Sequence, residues 1–151
     1  RLTEFQSAIG RKQLQILHEW TAIRTRNALY LAESLRDISS VRIPIPPTRI
    51  THAWYKFYAF LRSDCLRSGW DRNRIIFEIN KLGFPAFSGS CSEIYLERCF
   101  QIAGLYPVNR LPVARLLGET SLMFLVHPTI TFEEMSRYAT SIRNVLLAAT
   151  R

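Results

Sequence analysis

The feature that most constrains the fold is a helical hydrophobic pattern that runs from Leu2 to Leu35. Apolar residues recur there every three or four positions, which places them on one broad face of an α-helix. They are Phe5, Ala8, Ile9, Ile16, Leu17, Trp20, Ile23, Tyr30, Leu31 and Leu35. A helix of this length exceeds the usual range for globular domains. We therefore expect that it either bends near residues 18–20 or bridges two domains.

Strands and amphipathic helices alternate after this helix. Hydrophobic patterning predicts strands over 41–43, 53–62, 84–87 and 121–126, and helices over 71–82, 94–100 and 112–117. Aromatic residues on both faces of 53–62 predict a strand covered on both sides. Gly83 and Gly118 are expected to end helices. Thr131 and Glu134 form a capping box that starts the final helix.

This order of elements predicts an α/β (α+β) fold with a small, mostly antiparallel sheet of three or four strands packed with helices. One long helix precedes the sheet. We expect a single domain over residues 1–151, in which residues 1–36 form a linking helix and residues 37–151 an α/β sandwich.

The composition narrows the class of protein. The chain has 151 residues, 48% hydrophobic and 21% charged, which is typical of one folded domain and excludes a disordered chain. It has no apolar run near the roughly 18 residues that a bilayer requires. The net charge of +8 is spread along the chain, which favours a solvated surface. A basic α/β module that binds nucleic acid or a regulatory ligand stays open as an alternative.

The cysteines and histidines supply few candidates for chemistry. Three cysteines without a C-x-x-C pair predict a reducing, cytoplasmic compartment. No two histidines have metal-ligand spacing, so no metal site is expected. Cys91 is the one plausible nucleophile, which leaves a cysteine-dependent hydrolase open, although a packed or incidental thiol is the simpler interpretation.

The segment most typical of a binding site is the loop Ser88-Gly89-Ser90-Cys91-Ser92. Small hydroxyl residues beside a glycine expose backbone amides, which can receive phosphate or sugar oxygens. None of the lysines at positions 12, 56 and 81 has a setting typical of an activated Schiff-base lysine. The residues alone therefore indicate no complete catalytic apparatus.

Several segments in the same order resemble the C-terminal part of the DegT-type nucleotide-sugar aminotransferases, which depend on pyridoxal phosphate and have the fold type I architecture. They are RLTEFQSAIG at 1–10 followed by Gln13-Leu14, HAWYKF at 52–57, Leu82-Gly83-Phe84, FSGSCSEIYLE at 87–97, LPVA at 111–114 and HPT at 127–129. Met123-Phe124 stands where many members carry Leu-Pro, which leaves the branch and the substrate open.

The resemblance implies an enzyme that transfers an amino group, usually from glutamate, to a keto-sugar attached to a nucleotide. Pyridoxal phosphate would be held mainly by a large upstream domain that is absent from residues 1–151, so no catalytic residue is expected here and this part alone should be inactive. Arg1 is the expected cofactor contact, and His52, Ser88, Ser90 and Cys91 are the expected substrate contacts. The resemblance also implies a homodimer, with no nucleic-acid or membrane partner.

Overall fold

The computed structural model describes residues 2–89 and 91–151, so the predicted contacts Arg1 and Ser90 lie outside the described residues. The described part contains five α-helices and four β-strands. They are α1 (Glu4–Ser34), β1 (Val41–Arg42), β2 (Phe57–Leu61), α2 (Arg72–Lys81), β3 (Ala86–Ser88), α3 (Arg98–Ile102), α4 (Pro112–Thr120), β4 (Ser121–Phe124) and α5 (Phe132–Ala149). Single 3-10 turns lie at Ser63–Cys65 and Ile94–Leu96.

The long helix is confirmed, but only its C-terminal half packs on the domain. A capping box starts α1, because the Thr3 side chain accepts from the backbone N–H of Gln6 and the Gln6 side chain accepts in return. Its buried residues are Asn27, Ala28 and Leu31. Phe5, near the other end, is 75% exposed. The N-terminal half of the apolar face is thus uncovered in the described part of the chain.

The predicted sheet is confirmed, with four strands in the order β1-β2-β4-β3 and every pair antiparallel. The central pair aligns Phe57 with Phe124. The ring of Phe124 packs edge-on against Tyr138 of α5 at 6.2 Å between centroids. One face of the sheet therefore carries the core against the helices. Burying a side chain such as Phe57 or Phe124 stabilises the fold by about 1.5–3 kcal/mol.

The strand predicted over 53–62 is shorter at its start, and the reason is local. Trp54 has φ of +47°, in the left-handed region, which a β-strand does not use. Its N–H donates to Nδ1 of His52 at 3.0 Å, so the histidine side chain supports a turn where the aromatic pattern predicts a strand. β2 consequently begins at Phe57.

The prediction that this strand is covered on both faces holds for its second half. Phe57, Ala59 and Leu61 are buried, and Tyr58 and Phe60 on the opposite face are half-buried. Gly89, Cys91 and Ser92 of the following loop and Leu117 of α4 border that second face. The three loop residues also line the site described below.

Gly83 and Gly118 behave differently. Gly83 follows α2 with φ of +84°, as expected for a glycine that ends a helix. The prediction for Gly118 is wrong, because α4 continues through it to Thr120. A Cβ on Gly118 would lie 2.3 Å from Oγ of Ser92, so this glycine permits close packing of the loop on the helix.

The capping box at Thr131 is confirmed, and α5 buries a stripe of residues from Met135 to Ala149. The Thr131 hydroxyl accepts from the backbone N–H of Glu134, whose carboxylate accepts from the N–H of Thr131.

Among residues 2–89 and 91–151, no helix combines the length and the apolar character that crossing a membrane requires.

Candidate functional site

The predicted binding loop borders a cavity of about 340 Å³ between the loop and α4, which we call the loop cavity. Its lining consists of polar and charged side chains, two glycines and one leucine. These residues are Arg72, Ser88, Gly89, Cys91, Ser92, Glu93, Leu96, Glu97, Arg110, Gly118 and Glu119. The sheet edge, the loop and α4 therefore each contribute one wall.

Two glycines bring these walls into contact. The backbone N–H of Gly89 donates to Oγ of Ser121 at 3.1 Å, which ties the loop to β4. A Cβ on Gly89 would lie 2.4 Å from that same oxygen and 2.7 Å from Cβ of Ser121. Gly118 allows the equally close approach of Ser92 from the other side. A larger residue at Gly89 would displace the loop from β4, and one at Gly118 would displace it from α4.

A charged clamp fixes the far end of the loop to the segment before α4. Arg110 donates from Nε to Oε1 of Glu93 at 2.8 Å, and its Nη2 donates to Oε2 of the same carboxylate. The Tyr95 hydroxyl donates to Oε1 of Glu93 at 2.7 Å and accepts from the N–H of Leu111 at 3.0 Å. Bidentate pairing of this kind fixes orientation as well as distance.

The clamp sets the ionisation of the loop cavity. The hydrogen bonds from Arg110, and then that from Tyr95, lower the pKa of Glu93 from 4.5 to about 2. The carboxylate is therefore charged at neutral pH although the residue is 8% exposed. Arg110 has its own pKa raised, mainly by the hydrogen bond to Glu93. Glu93 and Arg110 are thus paired with each other through Nε and Nη2 of the guanidinium.

Charged side chains of both signs line the loop cavity and pair with one another. Three carboxylates line it, those of Glu93, Glu97 and Glu119, against the two guanidinium groups of Arg72 and Arg110. Arg72 directs one Nη at the backbone oxygen of Gly118. The guanidinium of Arg115 pairs with Glu119 at 2.8 Å, so three guanidinium groups balance the three carboxylates and the loop cavity carries no excess of negative charge.

Cys91 lines the loop cavity but is not activated. Its Sγ lies 3.5 Å from Oε1 of Glu97, to which the thiol donates. Partial desolvation first, and then the hydrogen bond to Glu97, raise the pKa of the Cys91 thiol. A raised thiol pKa reduces the thiolate fraction that a cysteine nucleophile needs. The cysteine-dependent hydrolase left open by the sequence thus has no geometric support at this residue.

His52 lies in a different cavity, of about 200 Å³, bordered by the middle of α1 and the segment before β2. Its ring packs edge-on against Trp54 at 4.5 Å between centroids, and Nδ1 accepts the Trp54 N–H. His52 therefore supports the left-handed turn. The structure brings Ser88 and Cys91 to one cavity and places His52 at another.

Sequence analysis did not predict a role in this site for Glu93 or Arg110. They lie 17 positions apart, so no local pattern links them. Each is unremarkable by itself, since a glutamate or an arginine in a loop is common. Only the folding of the segment 97–110 back onto the loop brings them together.

The described residues do not by themselves form a site for pyridoxal phosphate. The cofactor needs a lysine for its Schiff base. Lys12 and Lys81 are exposed, and half-buried Lys56 lies over the ring of Tyr55 at 5.7 Å. None of the three borders the loop cavity or the cavity at His52. In the same part of the chain, no three histidine, cysteine, aspartate or glutamate residues are grouped to hold a metal ion.

Comparison with known proteins identifies the family of this chain. The DegT/DnrJ/EryC1/StrS aminotransferase family matches residues 1–143 of the 151-residue chain. The chain belongs to this family. The family resemblance stated from the sequence motifs is thereby confirmed.

Solved aminotransferase structures share the fold. The X-ray structure of the aminotransferase from Psychrobacter cryohalolentis is 45% identical, with a TM-score of 0.92 over 99% of this chain and 40% of that one. Helicobacter pylori PseC, an aminotransferase involved in the biosynthesis of pseudoaminic acid, is 19% identical, with a TM-score of 0.82 over 98% of this chain and 38% of that one. At that lower identity the similarity shows the fold alone.

A curated relative is the erythromycin biosynthesis sensory transduction protein EryC1 of Saccharopolyspora erythraea. It is 26% identical over 133 residues, which is 88% of this chain and 34% of that protein. The chain thus spans about a third of this relative and about two fifths of the solved aminotransferases.

Proposed function

We propose that this chain is the C-terminal small domain of a pyridoxal-phosphate-dependent aminotransferase. The observation that carries the proposal is the similarity to the Psychrobacter cryohalolentis aminotransferase, which extends over 99% of this chain at 45% identity. The matched region is 40% of that protein, so the proposal places the cofactor lysine in the rest of a full-length enzyme. Bound pyridoxal phosphate would supply the electron sink for amino transfer.

The proposed substrate is a keto-sugar attached to a nucleotide, with glutamate as the amino donor. The hydroxyl-bearing loop cavity supports a role for Ser88 and Cys91 in contacting the sugar, because serine hydroxyls and loop amides pair with sugar hydroxyls. Arg1 near the cofactor, with Ser90 and His52 at the substrate, complete the proposed set of contacts.

The proposal also assigns an assembly and a compartment. We propose that the full-length enzyme is a homodimer to which this domain contributes contacts. The exposed apolar face of α1, which includes Phe5 and Leu17, supports a protein neighbour at that helix. Cys65, Cys91 and Cys99 are all free, which is in keeping with a cytoplasmic enzyme.

The test uses the full-length enzyme and the 151-residue chain side by side. The full-length enzyme should show the absorbance of bound pyridoxal phosphate and convert a nucleotide-linked keto-sugar to the amino sugar at the expense of glutamate. The 151-residue chain should do neither. A full-length protein that neither binds the cofactor nor transfers an amino group would contradict the proposal.

A matched pair of variants tests the assignment of the loop cavity. Ser88→Ala should raise the KM for the sugar nucleotide several-fold in the full-length enzyme, because it removes one hydroxyl from the cavity wall. Ser39→Ala, which changes an exposed serine in the turn before β1, should leave KM unchanged.

Salt-sensitive binding of nucleic acid without cofactor binding would instead favour the basic binding module that the net charge of +8 leaves open.

A further inference from the structure

Arg24 in the middle of α1 carries a buried donor with no acceptor. Its Nε is excluded from solvent and makes no hydrogen bond, and in residues 2–89 and 91–151 it is the one buried side-chain nitrogen or oxygen of which this is true. Four other arginines, Arg36, Arg110, Arg115 and Arg143, have carboxylate partners within 4.0 Å. An arginine is charged at every physiological pH, so a buried, unpaired guanidinium N–H is unfavourable.

An aromatic wall orients this guanidinium. Trp20 precedes Arg24 by one helical turn, and the guanidinium carbon lies 6.0 Å from the centre of the Trp20 ring. The indole covers one side of the guanidinium, in the geometry of a cation–π contact. Such stacking restricts the side chain, and because Nε is excluded from solvent, the two Nη groups are the donors for an incoming group.

His127 adds a second donor beside the same indole. Its ring contacts Trp20 edge-on at 6.0 Å between centroids. Nδ1 accepts from the N–H of Thr129 at 3.3 Å and pairs with the Thr129 hydroxyl at 2.7 Å, so the ring proton of the neutral form lies on Nε2. No acceptor for Nε2 occurs among the described residues.

The turn that carries His127 is anchored to α1. Nδ2 of Asn27, one turn after Arg24, donates to the backbone oxygen of His127 at 3.3 Å, and Asn27 is fully buried. The histidine and the arginine therefore both contact Trp20, and Asn27 ties the turn of His127 to α1 next to Arg24. Neither of them takes part in the loop cavity.

From this arrangement we propose that Arg24, Trp20 and His127 form a binding site for a carboxylate group. The planar guanidinium matches the two oxygens of a carboxylate, and Nε2 of His127 offers a further N–H. The carboxylate has two possible sources. One is a free carboxylate ligand, and the other is an aspartate or glutamate side chain from the rest of the full-length aminotransferase, which depends on the function proposed above.

The experiment compares Arg24→Gln and Arg24→Lys with the control Arg11→Gln, an exposed arginine on the same helix. Thermal unfolding of the 151-residue chain is followed by circular dichroism with increasing potassium glutamate, against potassium chloride at equal ionic strength. Thermal unfolding of the full-length enzyme is measured for the same variants. Arg24→Lys keeps the charge and loses the planar fork, so it should retain only part of any effect.

A free carboxylate predicts that glutamate raises the Tm of the wild-type chain by about 3 °C or more beyond chloride, and that Arg24→Gln abolishes this increase while Arg11→Gln does not. A protein carboxylate predicts no glutamate effect on the chain. In that case Arg24→Gln should lower the Tm of the full-length enzyme by about 3 °C and change that of the chain by less than about 1 °C.

The proposal is overturned if glutamate has no effect and Arg24→Gln lowers both Tm values equally, or neither, since the arginine would then have only a local role. Cofactor absorbance of the full-length variants separates this failure from a failure of the proposed function. An enzyme that binds pyridoxal phosphate normally while Arg24→Gln changes nothing contradicts the carboxylate site alone.

Discussion

At the level of single residues, the loop cavity depends on the pair between Glu93 and Arg110. The carboxylate is nearly enclosed and accepts from both the guanidinium and the Tyr95 hydroxyl. A carboxylate held in this way must stay ionised, because protonation would remove an acceptor from Arg110 and leave the guanidinium without its partner.

This pair gives a prediction for the acid dependence of stability. The pKa of Glu93 is lowered from 4.5 to about 2 in the folded chain, so its stabilising effect is complete above pH 4.5 and is lost as the pH falls towards 2. Glu93→Gln should therefore unfold at lower urea than the wild type at pH 6, and the difference should shrink between pH 4.5 and pH 2. Urea titrations at a series of pH values measure this.

The control for that series is Glu33→Gln, which removes the pair with Arg36. Both side chains of that pair are largely exposed, at 70% and 78%, so its loss should change the unfolding midpoint little at any pH. A Glu93→Gln variant as stable as the wild type at pH 6 would show that the clamp does not hold the loop.

The Cys91 thiol gives a second prediction at this scale. Desolvation and the neighbouring Glu97 carboxylate raise its pKa, so little thiolate forms at neutral pH. Glu97→Gln should increase the rate at which iodoacetamide alkylates Cys91 at pH 7.5, since it removes the negative charge beside the sulfur. Mass spectrometry reports the rate at each cysteine, and Cys65 serves as the internal reference. An unchanged rate at Cys91 would contradict the pairing.

At the level of elements, close packing of the loop on the sheet and on α4 relies on glycine. Gly89→Ala should lower the free energy of unfolding by about 1–3 kcal/mol, because the added Cβ would meet Ser121 at 2.4 Å. Gly10→Ala in α1 is the matched control, since nothing lies within 4 Å of its Cβ position. It should leave stability unchanged or raise it by up to about 1 kcal/mol. Chemical denaturation of both variants checks the pair, and equal effects would argue against close packing at Gly89.

The elements with strong periodicity are those that the sequence predicts well. The long helix α1 and the final helix α5 each combine an apolar stripe with a capping box, and both signals depend on residues at most four positions apart. A small, mostly antiparallel sheet of three or four strands also follows from the order of its elements, and the structure has four strands with every pair antiparallel. Sequence patterns are sufficient to predict an element when the interactions that fix it join residues close in sequence.

The errors arise where a side chain or a distant element overrides the pattern. The start of β2 is displaced because His52 supports a left-handed turn at Trp54, which aromatic propensity does not reveal. Gly118 is retained inside α4 because Ser92 packs on it from a separate loop. The loop at Ser88 and Cys91 is recognisable as a site, but the Glu93–Arg110 clamp that shapes it depends on tertiary folding alone.

At the level of the whole molecule, the main feature is the N-terminal half of α1, whose apolar face is uncovered in the described part of the chain. Phe5, Ile9 and Leu17 recur every fourth or eighth position along one face and are 75%, 47% and 47% exposed. An apolar strip of this length on a helix is typical of a surface that contacts another protein segment. In the proposed enzyme it would be covered by the rest of the protein.

The 151-residue chain alone should therefore self-associate. Sedimentation velocity should show an average mass that rises with concentration, and Phe5→Ser combined with Leu17→Ser should reduce that rise. Leu82→Ser provides the control, because this leucine is 54% exposed on another part of the surface. Concentration-independent monomers of the wild-type chain would contradict an uncovered contact face.

We propose that this family member forms the small domain of a pyridoxal-phosphate-dependent aminotransferase whose chemistry is completed outside residues 1–151. Absorbance spectra of the purified full-length protein and of the 151-residue chain, each with added pyridoxal phosphate and then with glutamate, test this proposal. We expect a cofactor band in the full-length protein that changes on addition of glutamate, and no such band in the chain. A full-length protein without a glutamate-sensitive band would contradict the proposal.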